Sequence, residues 1–441
     1  PVGSPIGKTW QDSRVPNVTV PISTGTFDVY NHVGQPSQEV FQLRLLNDQV
    51  DGEIYQNIPT SSPPSGCCTI NTVFTKDDYT ATSNNPAPFN TTVQTWTPTS
   101  NPFGGTPTNI VSTVTIRNTL TIPAGYTIKI VGMTFQFAPR ISAQPNQTAG
   151  GNVIVERKIT PATKGGTLIL DNSTFTSYDG CGGGMWEGIQ VRGYGGSSPQ
   201  TQGTSYNNSA QGWLIVQNNS VIANAFVGAI AVKYATPYPS ITYDMLQAGG
   251  VIQAVNSTFR NNQIAVSFMT FSEPTNPLRN KSYFTKCNFL TTSFALNDNT
   301  TLFRYFVLMF GTNGITFKGN NFENSRAVQS NQDITNNGIG IFSFNAGFSV
   351  VPFCITFNCS GYIKNTFKNL GYGIQTWFSN PLTPLKIDQT DFTGNFRGVL
   401  LNYANYSSII NNSFKVLQYN SQQTFGASYG LYLNNCTGYQ V

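Results

Sequence analysis

The sequence predicts an all-β fold, a right-handed parallel β-helix with an irregular N-terminal region of strands and loops. Only 10% of the residues are charged and 13% are aromatic, and the hydrophobic residues do not recur at the period of an α-helix. A unit of the form Asn-x-Ser/Thr-Phe, followed by Asn and a short apolar strand, returns from about residue 170 onward. Its last copies are 22 residues apart, at Phe392, Phe414 and Cys436, which suits one coil of three short strands.

The repeat defines a register along the chain. Clear copies are DNSTF at 171–175, VNSTFRNNQIAV at 255–266 and KNTFKNLGYGIQ at 364–375. The intervals longer than 22 residues fit either one coil with an inserted loop or two coils taken together. The aromatic position of the unit is assigned to Phe175, Val221, Phe259, Phe289, Phe322, Phe367, Phe392, Phe414 and Cys436.

Stacking of coils explains the residue types of the repeat. Parallel strands about 4.8 Å apart place equivalent side chains above one another, so Phe is expected to form an internal stack. Asn at a corner adopts the left-handed backbone conformation at low cost and can donate hydrogen bonds along a ladder of like residues. Charged residues stacked on themselves would repel, which accounts for their scarcity.

Two regions are predicted. Residues 109–170 read as a run of strands that leads into the repeat, so the β-helix is placed at 109–441, and we expect it to continue beyond Val441 or to meet another subunit there. Residues 1–108 contain Pro-rich stretches such as PTSSPPSG and are expected to form a cap, a small β-domain or an arm. Something must cover the first coil, because an open coil exposes its strand edges.

Charge and cysteine content exclude several classes of function. The net charge of +5 is spread thinly without Lys/Arg clusters, so no nucleic-acid partner is expected. No run of 18 apolar residues exists, so no membrane span is expected. Seven cysteines without a CxxC pair, together with one histidine, predict no metal site beyond weak surface calcium and no other cofactor. Cys354 and Cys359 are the candidate disulfide; the alternative is that the cysteines are small buried apolar side chains.

One segment resembles a known family. The run GGTLILDNSTFTS is followed by GCGGGMWEGIQVRGYGG at 180–196 and then by the Asn-rich units. Residues 110–441 are thereby similar to large surface proteins of Bacteroidota, in which a Cys and then Met-Trp-x-Gly-Ile precede a right-handed β-helix; the matching residues here are Cys181, Met185, Trp186, Gly188 and Ile189. The resemblance implies export by type IX secretion, attachment to the cell surface and roles in adhesion. The C-terminal sorting domain of that family has no counterpart before Val441.

Pectin-lyase-like solenoids often act on polysaccharides, so a catalytic site is a possible feature of this fold. The hydrolase pattern of Gly-His-Gly with Arg-x-Lys does not occur. The constellation nearest to a lyase site, with a basic residue beside carboxylates, is Lys386, Asp388, Asp391 and Arg397, and its alternative interpretation is a solvated strand and turn. Glu187 with Arg192, next to Trp186, is the other candidate, and an exposed ion pair near a core Trp is its simpler interpretation.

Aromatic residues outside the Phe register are the candidate ligand-binding residues. Tyr and Trp rings bind sugars by stacking and hydrogen bonding, and the alternative is that they pack loops onto the solenoid. The candidates are Trp213, Tyr234, Tyr238, Tyr243, Tyr372 and Trp377.

The sequence therefore predicts a non-catalytic extracellular surface protein or fibre component that acts in adhesion, in a surface layer or in assembly. Its expected partners are glycans or other cell-surface proteins, with self-assembly through the solenoid ends or the N-terminal arm. A β-helix carbohydrate-active enzyme with an atypical site is the alternative, and a trimeric tailspike is a third possibility.

Overall fold

The structure is a computed structural model. Between residues 1 and 73 it describes four strands, without their side chains. It also describes residues 74–441 except 83, 86, 141–149, 161–162, 180–183, 196–198, 237–241, 275–279, 293–302, 327–336, 380–383 and 418–427. The chain divides into two compact units, Pro1–Pro59 and Thr60–Val441. In the first unit β1 (Thr9–Gln11) pairs antiparallel with β2 (Thr19–Pro21), and β3 (Phe41–Leu46) with β4 (Asp51–Gln56).

The second unit is a parallel β-helix whose strands pair into a 10-stranded and a 20-stranded sheet. The 10-stranded sheet is called the first sheet, and the two ladders of the 20-stranded sheet are called the second and third sheets. Each complete coil contributes one strand to each of the three. The strands, numbered in chain order, are as follows. The first sheet contains β6 (Val93–Trp96), β8 (Thr127–Val131), β11 (Thr167–Asp171), β14 (Trp213–Gln217), β19 (Val251–Val255), β22 (Tyr283–Thr285), β25 (Asn313–Lys318), β28 (Gly347–Val351), β33 (Lys386–Asp388) and β36 (Ser408–Ile410).

The second sheet contains β9 (Thr134–Phe137), β12 (Thr174–Ser177), β15 (Val221–Ala223), β20 (Thr258–Arg260), β23 (Asn288–Thr291), β26 (Asn321–Asn324), β31 (Asn365–Lys368), β34 (Thr390–Asn395) and β37 (Ser413–Val416). The third sheet contains β5 (Lys76–Thr80), β10 (Asn152–Val155), β13 (Trp186–Val191), β16 (Ala225–Ile230), β21 (Ile264–Phe268), β24 (Tyr305–Phe310), β27 (Ile339–Phe344), β32 (Tyr372–Trp377), β35 (Arg397–Asn402) and β38 (Tyr429–Asn434).

The remaining elements connect or interrupt the coils. Strand β7 (Thr113–Ile122) joins the second and third sheets, because its first half pairs with β9 and its second half pairs with β5 and β10. Two hairpins project between coils, β17 (Lys233–Thr236) with β18 (Thr242–Asp244), and β29 (Phe353–Cys354) with β30 (Tyr362–Ile363). Short 3-10 turns lie at Tyr206–Asn208 and Met245–Gln247.

The predicted start of the solenoid at residue 109 is too late. Strands β5 and β6 already pair in parallel with β7 and β8, so the sheets begin at Lys76. The Pro-rich composition before residue 109 hid these two strands, because the turns at 97–109 interrupt the alternation of the flanking residues.

A stack of phenylalanine rings fills the interior behind the second sheet. From Phe259 to Phe414 each ring lies 4.4–5.1 Å from the next and within 11° of parallel. Phe135 and Phe175 continue the column, in register with Ile222. Every interval in this column is one coil, so the longer intervals are coils with inserted loops. The members are Phe135, Phe175, Ile222, Phe259, Phe289, Phe322, Phe367, Phe392 and Phe414.

Two positions of the predicted register are wrong. Ile222, rather than Val221, faces inward at the second copy, because two consecutive left-handed residues, Asn218 and Asn219, lengthen that corner by one residue. Cys436 does not lie on the second sheet. It follows β38, near the corner that leads back to the first sheet, where Gln440 bridges to Ser408.

Left-handed residues form the corner between the first and second sheets, as predicted for the first Asn of the repeat unit, which is Asn172 in DNSTF and Asn256 in VNSTF. The backbone N–H of this residue donates to a carbonyl of the next coil, at 3.0 Å from Asn256 to Thr285 and at 2.9 Å from Lys286 to Lys318. The ladder therefore satisfies backbone groups that the turn removes from the sheets. Its members are Gly132, Asn172, Asn219, Asn256, Lys286 and Gln389. Asn218, Gly319 and Asn411 are also left-handed at this corner.

A second ladder, one residue further on, is buried inside the corner. The side-chain oxygen of Asn320 accepts a hydrogen bond from the backbone N–H of Cys287 at 2.8 Å, and Asn365 accepts from Asn320 in the same way. Burial raises the pKa of the Cys287 thiol to about 12, so this sulfur packs as a small neutral group. Amides, hydroxyls and one thiol thus replace charged groups where the coil turns.

The Met-Trp-x-Gly-Ile segment has a packing explanation in this structure. The Trp186 ring stacks on Phe137 at 4.4 Å, and its Nε1 donates to the Ala223 carbonyl at 2.8 Å. Gly188 has φ +98°, and a Cβ there would lie 1.6 Å from the Val227 carbonyl oxygen. The motif therefore starts a strand of the third sheet around a buried indole.

Removing one ring from the stack should be costly. Phe322 lies between Phe289 at 4.6 Å and Phe367 at 4.4 Å and is fully buried, so Phe322→Ala is expected to lower the unfolding free energy by about 3–5 kcal/mol in urea titrations. Phe357→Ala is the matched control, because that side chain is fully exposed, and its loss should change stability by about 0.5 kcal/mol or less. Equal effects of the two changes would contradict the stacked core.

Glycines of the third sheet make room for the stack. A Cβ on Gly373 would lie 2.6 Å from both the Gly398 carbonyl oxygen and Cδ1 of Phe392, so Gly373→Ala should destabilise the chain by about 1–3 kcal/mol. At Gly361 the nearest atom to a Cβ is 3.9 Å away, so Gly361→Ala should be neutral. Thermal unfolding of both variants measures the difference; a neutral Gly373→Ala would show that the second and third sheets are packed less closely than described.

Candidate functional site

The candidate functional site is the outer face of the third sheet. In most soluble sheets the solvent side is polar, but here apolar and aromatic side chains cover it over several coils. In several of these strands, including β27 and β32, a glycine at the second position shifts the alternation, so that Tyr372 and Trp377 both face outward on β32 while Ile374 and Thr376 between them are buried. The outward residues of neighbouring strands are in register, with Phe310 beside Phe344 and Phe344 beside Trp377.

The first part of this face is covered. Tyr234 and Tyr243 on the β17–β18 hairpin, with rings 6.0 Å apart, pack with the outward side chains of the third sheet. Burial, followed by the nearby charge of Glu187, raises the pKa of the Tyr234 hydroxyl well above its ordinary value. Tyr234 therefore stays neutral and packs the hairpin onto the sheet. The covered residues are Val227, Ile230, Ile264, Met269 and Leu308.

The later part of the face is open and aromatic. We call Phe344, Trp377, Phe378 and Tyr403 the aromatic surface; their side chains are between 36% and 45% exposed. The Phe344 and Phe378 ring centroids are 5.5 Å apart in an edge contact, and Phe378 stacks on Tyr403 at 5.3 Å. The rings thus form a continuous strip across three coils.

Backbone conformation explains this strip. Phe378 and Tyr403 occupy the corner between the third and first sheets with φ of +56° and +53°, where bulky residues are rarely found. The backbone N–H of Phe378 donates to the Asn402 carbonyl at 2.8 Å, and that of Tyr403 to the Asn434 carbonyl at 2.9 Å. Inter-coil hydrogen bonds therefore hold the backbone that presents these rings.

The six predicted ligand-binding residues do not form one site. Trp377 belongs to the aromatic surface, and Tyr372 lies half-buried on the same strand against Arg397. Tyr234 and Tyr243 pack the hairpin, as the alternative interpretation proposed. Trp213 is buried at the start of β14 beside Tyr206, and Tyr238 lies outside the described residues.

The predicted catalytic constellation is not assembled. Lys386 and Asp388 pair at 3.4 Å on the first sheet, and Asp391 pairs with Lys364 at 3.0 Å on the second. Arg397 lies on the third sheet, where its guanidinium is about 5 Å from the ring centroids of Tyr372 and Tyr429. Burial raises the pKa of the Tyr429 hydroxyl to about 12. The four residues are distributed over three faces of the coil.

The interpretation of Glu187 and Arg192 as an exposed ion pair is wrong. Glu187 is buried and pairs with Arg140, whose guanidinium also lies 3.6 Å from the centroid of the Phe226 ring. Arg192 instead pairs with Glu156 at 2.5 Å. The Arg140 pairing was hidden because the two residues are a full coil apart in sequence.

Two acidic residues of the first solenoid strand and the two cysteines of the predicted disulfide have partners within the chain. Asp77 pairs with Arg117 at 2.9 Å, and Asp78 accepts a hydrogen bond from the backbone of Thr119. Cys354 and Cys359 are joined by a disulfide at the tip of the β29–β30 hairpin, with Cα atoms 4.7 Å apart. In the described part of the chain, three or more His, Cys, Asp and Glu residues do not gather into a metal site. No helix among the described residues is long and apolar enough to cross a membrane.

Sequence reasoning missed Phe344, Phe378 and Tyr403. Phe344 lies in the segment IFSF, directly after Gly340, which shifts the alternation of inward and outward residues on β27. Phe378 and Tyr403 follow Trp377 and Asn402 directly at the corner. The signal that could have found them is the glycine at the second position of β27, β32 and β35, because it resets which residues face outward. Comparison with known proteins finds no matching family model, curated protein or solved structure.

Breaking the buried ion pair should disturb this face. Glu187→Gln leaves the Arg140 guanidinium buried without its carboxylate, so a loss of about 3–5 kcal/mol of unfolding free energy is expected. Asp391→Asn, in the half-exposed pair with Lys364, is the control and should cost about 1 kcal/mol or less. Denaturant midpoints measure both, and similar losses would show that the Arg140–Glu187 pair is not buried.

Proposed function

We propose that this chain is a non-catalytic extracellular surface protein or fibre component, and that it binds glycans through the aromatic surface. The observation that carries the proposal is the open strip of Phe344, Trp377, Phe378 and Tyr403. The faces of these exposed aromatic rings are apolar, so they can stack on the apolar faces of sugar rings.

The rigidity of the strip supports the proposal. Its side chains are presented by backbone that is hydrogen-bonded from coil to coil, so little conformational entropy remains to be lost on binding. Three rings of the strip come from consecutive coils, a repeating presentation that suits an extended chain of sugars better than one small molecule.

A role at the cell surface rests on other features. The low charge and the Asn-rich repeat suit an elongated scaffold, and the resemblance of Cys181 and the Met-Trp-x-Gly-Ile segment to Bacteroidota surface proteins favours export by type IX secretion. In adhesion, the solenoid would serve as a rigid spacer that carries the aromatic surface. Self-assembly through the solenoid ends is a further part of this proposal.

Glycan binding is tested by depletion of the full chain on cellulose and chitin suspensions and by a printed glycan array. The double variant Trp377→Ala/Phe378→Ala should weaken binding about tenfold or more, since two stacking contacts contribute roughly 1–3 kcal/mol. Phe357→Ala, which removes an exposed ring from a different part of the coil, should bind like the parent chain.

Two results would overturn this function. One is undiminished glycan binding by a folded double variant. The other is turnover of a polysaccharide that disappears in Lys386→Ala or Asp388→Ala, which would favour the β-helix enzyme instead.

A further inference from the structure

A shallow groove lies on the outer face of the first sheet, away from the aromatic surface. Its volume is about 270 Å³, and it is lined by Asn280, Ser282, Tyr283, Thr285, Thr316 and Lys318. Tyr283 and Thr285 on β22 are in register with Thr316 and Lys318 on β25. These four side chains therefore form a square that projects from two neighbouring coils.

The chemistry of the square is amphipathic. The Tyr283 side chain is 36% exposed, so one ring offers an apolar surface, and the two threonines offer hydroxyls that donate and accept hydrogen bonds. Burial raises the pKa of the Tyr283 hydroxyl, so this group remains a hydrogen-bond donor at neutral pH. A ring with hydroxyls around it matches the polar and apolar faces of a sugar.

Around the groove the described part of the first sheet presents a positive charge without a neighbouring negative charge. The outward positions on β19, β22, β25 and β28 contain one lysine, Lys318, and no carboxylate; they are Gln253, Val255, Tyr283, Thr285, Thr316, Lys318, Ser349 and Val351. Elsewhere on this face the lysines are paired, Lys129 with Asp171 at 2.7 Å and Lys386 with Asp388 at 3.4 Å. Among the described residues no carboxylate pairs with Lys318, whose side chain is exposed.

A lysine without a protein carboxylate, beside a sugar-sized polar groove, is suited to an anionic ligand group. Lys286 adds a second positive charge at the adjacent corner, with its Nζ 4.9 Å from the centroid of the Phe353 ring. We propose that this groove binds an anionic saccharide unit, with the sugar ring on Tyr283, sugar hydroxyls on Thr285 and Thr316, and the carboxylate or sulfate group on Lys318.

Charge dependence is measured by calorimetric titration of the full chain with an oligouronate and with its methyl ester, the same saccharide without charge. The oligouronate should bind at least about tenfold more tightly at low salt, and the advantage should shrink as salt rises. Lys318→Ala should remove this advantage and leave the weak affinity for the ester unchanged, whereas Tyr283→Ala should weaken both.

Lys386→Ala is the matched control, because Lys386 lies on the same face in a pair with Asp388, and it should bind like the parent chain. A sulfated oligosaccharide in place of the oligouronate distinguishes the two anionic groups, and either one binding through Lys318 supports the site. Equal affinity for acid and ester, an unchanged Lys318→Ala variant, or equally strong competition by inorganic sulfate alone would overturn it. Trp377→Ala/Phe378→Ala should leave this binding intact, so the groove and the aromatic surface are tested separately.

Discussion

Stacking of equivalent residues from coil to coil is the constraint on which the rest of this structure depends. Strands of one sheet lie roughly 4.8 Å apart, so a side chain of one coil lies directly above the equivalent side chain of the neighbouring coil. Phenylalanine satisfies this demand in the interior, where rings from Phe259 to Phe414 lie almost parallel. Asparagine satisfies it at the corners, where the side-chain oxygens of Asn320, Asn365 and Asn412 accept hydrogen bonds from backbone N–H groups of the preceding coil.

The same constraint shapes the surfaces. Because the outward residues also stack in columns, a single ring becomes a strip when the next coils repeat it, as in the aromatic surface. Charges are tolerated where neighbouring coils alternate sign, as in Lys129 with Asp171. Among the described residues of the first sheet, Lys318 departs from that pattern, and the proposed anionic ligand would supply the missing negative charge in the groove beside it.

Much of the fold could be predicted from the sequence, because a repeated Phe and Asn report directly on a repeated environment. The register failed at Val221, where two left-handed residues extend a corner, and at Cys436, where an Asn-Asn-Cys run imitates the unit at a different corner. Both errors arise because Asn occupies every kind of corner in this solenoid. The first two solenoid strands, β5 and β6, lack the repeat and could not be recognised by it.

The candidate site was less accessible to sequence reasoning. Trp377 was identified from the sequence. Whether its neighbours join it depends on which residues face outward after a glycine and on which coil lies alongside, and neither property is local in the sequence. Glu187 illustrates the same limit, since its partner Arg140 is 47 residues away. The number of residues between two contacting positions on neighbouring coils depends on the length of the inserted loops. A pattern within one repeat unit therefore does not reveal such contacts.

Hydrogen–deuterium exchange of the full chain, resolved by mass spectrometry, tests coil-to-coil stacking most directly. The account predicts slow exchange for the corner amides of Asn172, Asn256, Lys286 and Gln389, which donate to the next coil. Exposed amides near the tip of the β29–β30 hairpin should exchange faster. Exchange of these corner amides at the rate of an unfolded chain would contradict the stacked β-helix.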